Sequence, residues 1–282
     1  MNNYTHQTGP TQFREAGGIR FAHRRFGKKG GVPLLFFMHF TGTMDHWDPA
    51  LTEGFAQDRE VVLFNNAGIS RSSGEVPTSV EGMAQHAAAF IDALGVEQID
   101  ALGFSLNGFV AQQFTIDRPD LVRKLILAGT GPRSGEGMAS LTPEAQVIFG
   151  AKYDPGDELW LGVFFTPSER SQAAGRRYLE RQRASKENRD PLPNEMVASA
   201  QVAALEKWGA PRKDPYAYLK KIIQPTLVVN GSNDVIVYTV NSFILQQRLP
   251  NAQLILYLDS NHGAQYPYPE LFVEHVKQFR KG

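Results

Sequence analysis

The chain is 282 residues long, enough for a full hydrophobic core and at most two domains. Its 29 basic and 29 acidic residues cancel, which argues against a general nucleic-acid or membrane-surface binder. It has no cysteine, so disulfides, thiolate catalysis, Cys-ligated zinc and iron–sulfur clusters are excluded. The opening residues, Met1-Asn2-Asn3-Tyr4-Thr5-His6-Gln7, lack the charged-then-apolar pattern of a signal peptide. No run approaches the ~18 apolar residues of a membrane span. These features set the expectation of a cytoplasmic monomer or homodimer that binds a small molecule, and neither nucleic acid nor membrane.

Two extended stretches come first, over 11–15 and 19–26, and Gly17-Gly18 between them reads as a hairpin turn. The run Pro33-Leu34-Leu35-Phe36-Phe37-Met38 is wholly apolar, which suits a strand buried on both faces of a parallel sheet. It leads into the loop His39-Phe40-Thr41-Gly42. A helix is expected over 45–55, then a second buried strand over 61–64. The polar, turn-rich stretch 65–74 follows. Residues 80–94 form an amphipathic helix, with Met83, Ala87, Phe90, Ile91 and Leu94 on one stripe and Gly95 just past its end. A strand from Ile99 then runs into Gly103-Phe104-Ser105-Leu106-Asn107-Gly108, a tight turn that opens a helix reaching about Ile116. Arg118-Pro119 stops that helix, and 122–128 is the next apolar strand.

Between about 131 and 210 the apolar runs disappear. Helix formers dominate 168–186 and 194–208, separated by Pro191 and Pro193. Aromatic residues gather at Tyr153, Trp160, Phe164 and Phe165. Arginines are dense at Arg170, Arg176, Arg177, Arg181, Arg183 and Arg189. This segment reads as a helical insertion over the site. Its arginines are placed on a solvated face, with phosphate or carboxylate binding as the alternative. The sheet resumes with strands over 226–230 and 253–258, a helix over 240–249 between them, and a closing helix over 269–279.

Strands alternating with helices predict an α/β chain with a mostly parallel sheet and helices on both faces. Sites in such sheets lie beyond the carboxyl ends of the strands. Ser105, Asp234 and His262 each follow a different strand, so the topology brings them to one edge. A serine hydroxyl is a poor nucleophile at neutral pH and needs a base within hydrogen-bond reach. His262 is the expected base, rather than a loop histidine with a structural hydrogen bond, and Asp234 is expected to orient its ring and stabilise the imidazolium, rather than only to form a turn. The loop Gly129-Thr130-Gly131-Pro132-Arg133 carries no rival carboxylate, and Asp259 lies too near His262 in sequence to be the preferred orienter.

The order Ser, Asp, His resembles that of the α/β-hydrolase fold. The segment 103–112 resembles its nucleophile elbow, 229–234 its acid loop, and Asn261-His262-Gly263-Ala264 with 269–272 its histidine loop and closing helix. His39-Phe40-Thr41-Gly42 with Trp47 resembles its oxyanion loop. The likeness covers nearly the whole chain outside the insertion. It implies an eight-stranded core of residues 1–132 and 211–282, a cap over 133–210, and a cofactor-free, metal-free serine hydrolase. It further implies oxyanion N–H donors at Leu106 and at Phe40, with Thr41 as the alternative to Phe40. The pocket is expected from His39, Thr41, Trp47, Phe104, Trp160 and Phe165. A carboxylic ester or lactone, cleaved through an acyl-serine, is the implied substrate. The same triad also serves lyases, carbon–carbon bond hydrolases and perhydrolases, and the same fold serves non-catalytic ligand receptors. Two residues depart from the pattern. Asn107 stands where a small residue is usual, its side chain expected towards Asn65-Asn66, and Asn65 replaces the usual aspartate.

Overall fold

The computed structural model describes residues 4–184 and 189–281. The strands are β1 (Gln12–Ala16), β2 (Ile19–Gly27), β3 (Leu34–Phe37), β4 (Glu60–Phe64), β5 (Ile99–Phe104), β6 (Val122–Ala128), β7 (Thr226–Gly231) and β8 (Ala252–Tyr257). They form one eight-stranded sheet in the order β1-β2-β4-β3-β5-β6-β7-β8. β2 runs antiparallel to both its neighbours, and the remaining pairs are parallel. Gly17 and Gly18 both adopt positive φ in the two-residue β1–β2 turn, as the hairpin reading requires.

The strands sort their side chains by the period of two. Leu35, Phe37, Val62, Phe64, Ala101, Leu125, Leu127 and Val228 face one core, closed by α2 (Val80–Leu94), α3 (Leu106–Asp117) and α8 (Val240–Arg248). Leu34, Phe36, Leu63, Leu102, Phe104, Ile126, Leu227 and Val229 face the other, closed by α1 (Pro49–Ala56) and α9 (Pro269–Lys281). This two-sided burial is why the central strands read as continuous apolar runs.

The expected helix over 45–55 is two pieces. A single 3-10 turn spans Met44–His46, and α1 starts afresh at Pro49. The Asp48 carboxylate caps α1 by accepting from Ala50 N–H at 2.9 Å, and Pro49 suits a first helical position, where no N–H is needed. Between β6 and β7 lie α4 (Pro143–Gly150), α5 (Leu159–Phe164), α6 (Glu169–Ala184) and α7 (Glu195–Gly209). The first two are additions to the sequence reading, because α4 buries only Ala145 and α5 is short, so neither shows a helical stripe. The expected extension of α6 to residue 186 lies outside the described residues, as do Met1–Asn3.

The arginines of this segment divide. Arg170, Arg176, Arg177 and Arg183 lie on the exposed side. Arg181 instead grips Asp48 in a bidentate pair at 2.7 and 2.6 Å, tying α6 to the start of α1. Among the described residues no helix is long and apolar enough to cross a membrane.

Candidate active site

Ser105 leaves β5 with φ 57° and ψ −127°, a conformation that L-residues rarely adopt. The turn exists because its neighbours permit close approach. A Cβ on Gly103 would lie 2.7 Å from Ala111 Cβ, and one on Gly108 would lie 2.5 Å from Thr130 Oγ1. The small residue this elbow needs on its helix is therefore Gly108, which leaves position 107 free to carry a side chain. Asn107 does not reach Asn65-Asn66 as expected. Its Nδ2 donates to the Met38 carbonyl, joining the elbow to the end of β3.

Asn65 is spoken for elsewhere. Its Oδ1 accepts from Met44 N–H at 2.9 Å, and its Nδ2 donates to Asp190 Oδ2 at 2.7 Å. Asp190 also accepts the charge of Arg24, which pairs with Asp45 as well. An aspartate at 65 would lose the donor and add a third carboxylate to this buried cluster, which explains the amide.

The three groups from three strand ends meet. His262 Nε2 lies 2.8 Å from Ser105 Oγ, and His262 Nδ1 lies 2.9 Å from Asp234 Oδ2. Asp234 Oδ1 accepts the backbone N–H groups of Ile236 and Val237, each at 2.9 Å, so one oxygen fixes the carboxylate and the other faces the ring. A carboxylate can only accept, which puts the neutral imidazole's proton on Nδ1 and leaves Nε2 to accept from the serine hydroxyl. All three residues are buried. Phe104 packs against the His262 ring at 5.3 Å between centroids, with Phe164 beyond at 6.4 Å. Asp259 turns the other way, taking hydrogen bonds from Thr166 and, at 2.6 Å, from the Ser168 hydroxyl. Those hydroxyls hold its carboxyl below the usual range.

Two backbone N–H groups beside Ser105 have no acceptor among the described residues. Leu106 opens α3, where a first-turn N–H has no intrahelical partner. Phe40 sits in the turn that follows β3. Thr41 N–H is engaged, donating to Gln201 Oε1 on α7 at 2.7 Å. His39 Nδ1 lies 2.7 Å from Phe40 O, and burial holds this histidine well below its ordinary range.

A cavity of about 680 Å³ opens onto Ser105 and His262. Of the expected pocket residues, His39, Thr41 and Trp160 line it, together with Phe40. Trp47, Phe104 and Phe165 do not. They lie behind the wall, where Trp47 packs edge-on to Phe36, Phe104 supports His262, and Phe165 packs on Tyr178. Phe165 also bridges to Ser260, so its neighbour Phe164 faces the cavity instead. The sequence reading missed Phe109, Val163, Leu205 and Val237 in the lining. Leu141, Phe149 and Val202 line the mouth while 51%, 38% and 42% exposed, so apolar surface runs from Ser105 to the outside. Among the described lining residues there is no lysine or arginine, and Glu206 on α7 is the acidic one.

A family model described as alpha/beta hydrolase fold matches residues 32–268, and the chain belongs to that family. Fold and relatives alike place it in the hydrolase class. It is 30% identical over 252 residues to the Poly(3-hydroxyalkanoate) depolymerase of Ectopseudomonas oleovorans, covering 84% of this chain and 80% of that one. An alpha/beta hydrolase fold protein from Chitinophaga pinensis, a solved structure, superimposes with a TM-score of 0.92 at 38% identity over 98% of each chain. Est816, solved as an N-acyl homoserine lactone degrading enzyme, matches with a TM-score of 0.75 at 27% identity, covering 95% of this chain and 100% of that one.

Proposed function

We propose that this protein is a serine hydrolase acting on uncharged, largely apolar carboxylic esters or lactones through an acyl-serine. The observation that carries the proposal is the unbroken chain Ser105 Oγ, His262, Asp234 with links of 2.8 and 2.9 Å. In this reading Ser105 attacks the acyl carbon as His262 takes its proton. The tetrahedral oxyanion is met by the N–H groups of Phe40 and Leu106, and the α3 N-terminus adds its dipole. His262 returns the proton to the leaving alkoxide, then activates water to release the acid. Asp234 keeps the ring in the required tautomer throughout.

Residues 133–210 act as a cap over the core of 1–132 and 211–282. The substrate passes between Leu141, Phe149 and Val202. The apolar lining supports an apolar acyl group, and the lack of a lysine or arginine among the described lining residues disfavours one that bears a carboxylate. The names of two relatives, a Poly(3-hydroxyalkanoate) depolymerase and an N-acyl homoserine lactone degrading enzyme, fit ester or lactone substrates.

A fluorophosphonate probe should label Ser105, and p-nitrophenyl esters of graded chain length should give turnover. Ser105→Ala should abolish both while moving stability by less than about 1 kcal/mol. Folded wild-type protein that neither labels nor turns over any ester or lactone would remove the proposal.

A further inference from the structure

The turn His39–Gly42 is held from two sides by side chains that the chemistry above does not use. On the core side, Asn107 Nδ2 donates to the Met38 carbonyl. On the cap side, Gln201 Oε1 accepts the Thr41 N–H at 2.7 Å. Phe40 stands between these two anchors, and its N–H has no acceptor among the described residues. Thr41 itself has φ 51°, a left-handed conformation that a β-branched residue adopts only when its surroundings impose it. Gln201 is fully buried, and its Nε2 finds no partner among the described residues. An apolar side chain would remove that orphan donor but would leave the Thr41 N–H without its acceptor. The fold thus tolerates an unpaired amide and a strained threonine at the same contact.

We infer that Gln201 is a positioning residue through which the cap helix α7 sets the oxyanion-binding N–H of Phe40. The inference rests on the serine-hydrolase reading above. Accepting the Thr41 N–H locks the Phe40–Thr41 peptide against relaxation to negative φ. Asn107 fixes the other end, so Phe40 N–H points in one direction before substrate arrives. The oxyanion site is then complete only with α7 docked, and the cap contributes to catalysis as well as to enclosure.

The test replaces Gln201 by Leu and, in a second variant, by Met, two side chains of similar size with no comparable acceptor. Thermal melts establish that each is folded. On a p-nitrophenyl ester, kcat should fall between about 10- and 100-fold, the scale of a misplaced rather than deleted oxyanion donor, while KM stays within about threefold. A boronic acid that forms a tetrahedral adduct with Ser105 should lose affinity by the same factor as kcat. Thr41→Gly added to Gln201→Leu should recover much of the loss, because glycine holds positive φ without an external lock.

Unchanged kcat and boronate affinity in the folded Leu and Met variants would overturn the inference and leave the hydrolase reading intact. So would a double variant no faster than Gln201→Leu alone, which would mark the contact as ordinary packing of α7. Wild-type protein that neither turns over the ester nor binds the boronate would defeat the underlying reading instead.

Discussion

Two buried aspartates sit at opposite ends of this sheet, and they do different work. Asp234 follows β7 at the carboxyl end. One of its oxygens takes two backbone N–H groups, and the other faces His262 at 2.9 Å. Asp100 lies near the start of β5, at the amino end. Arg123 reaches it at 2.9 and 2.7 Å, Arg280 at 2.5 Å and Arg59 at 3.3 Å. Every oxygen of Asp100 is committed to a guanidinium, so nothing is left for a substrate or a catalytic base. The lesson concerns what a buried carboxylate leaves free. Asp234 is anchored by neutral donors that hold it without quenching its charge, and a neighbouring imidazole can use that charge. Asp100 is neutralised by permanent cations and serves to join β5, β6, α9 and the start of β4.

The sharpest way to break this contrast is to convert each aspartate and compare what is lost. In Asp234→Asn the amide oxygen can still accept from Ile236 and Val237, so the loop should keep its shape. The amide nitrogen would then face His262 Nδ1 and favour the tautomer with its proton on Nε2, which cannot accept from Ser105. We expect kcat on an ester substrate to fall by about 10⁴-fold with little change in melting temperature. A loss below tenfold would show that Asp234 is not the orienting acid.

Asp100→Ala should do the reverse. It leaves the guanidiniums of Arg123 and Arg280 without their carboxylate, and the buried one of Arg59 with only Asp58, at 3.5 Å. The expected cost is about 3–5 kcal/mol in a urea-unfolding measurement. Below the midpoint, kcat/KM should stay within about twofold of wild type, since the cluster lies at the far end of the sheet from Ser105. A large kinetic loss in folded Asp100→Ala would join the two ends functionally and dissolve the contrast.

The two sites also differ in how far they can be read from sequence. Ser105, Asp234 and His262 were legible because each follows a strand at a turn with its own local signature, and a parallel sheet gathers such turns at one edge. The Asp100 cluster was not. Its contacts span 23, 41 and 180 residues, and an arginine carries no local sign of its partner. Gln201 and Thr41 are 160 residues apart, so no reading of either segment could join them. The pocket was only half legible for a related reason. Aromatic composition marks a wall, but the register of Phe164 and Phe165 decides which ring faces inward, and that register is set by the Phe165–Ser260 bridge. Helix α4 escaped notice because its side chains serve the mouth rather than the core.

Acid should separate the two ends more gently. Burial lowers His6 and His46 to about 4, despite the raising effect of Asp45 on both, and lowers His23 to about 4 as well. Unfolded histidine titrates near 6.5, so between about 6.5 and 4 the unfolded chain binds protons that the folded chain refuses. Stability is therefore fully present above 6.5 and falls as pH drops towards 4. Each of the three should cost about 2 kcal/mol by pH 5. His46 borders the His39–Gly42 turn through the His39 ring at 5.7 Å, and His6 bonds Thr52 of α1 at 3.0 Å. Burial also pushes the Asp100 carboxyl above its ordinary range, against the lowering effect of Arg123. Amide exchange at pH 5 should accordingly quicken first in the 39–52 region, where the histidines gather. Uniform loss of protection would mean that the fold yields as one unit and that the histidines do not direct it, and His46→Gln should flatten the acid limb of the stability profile by its own share, about 2 kcal/mol at pH 5.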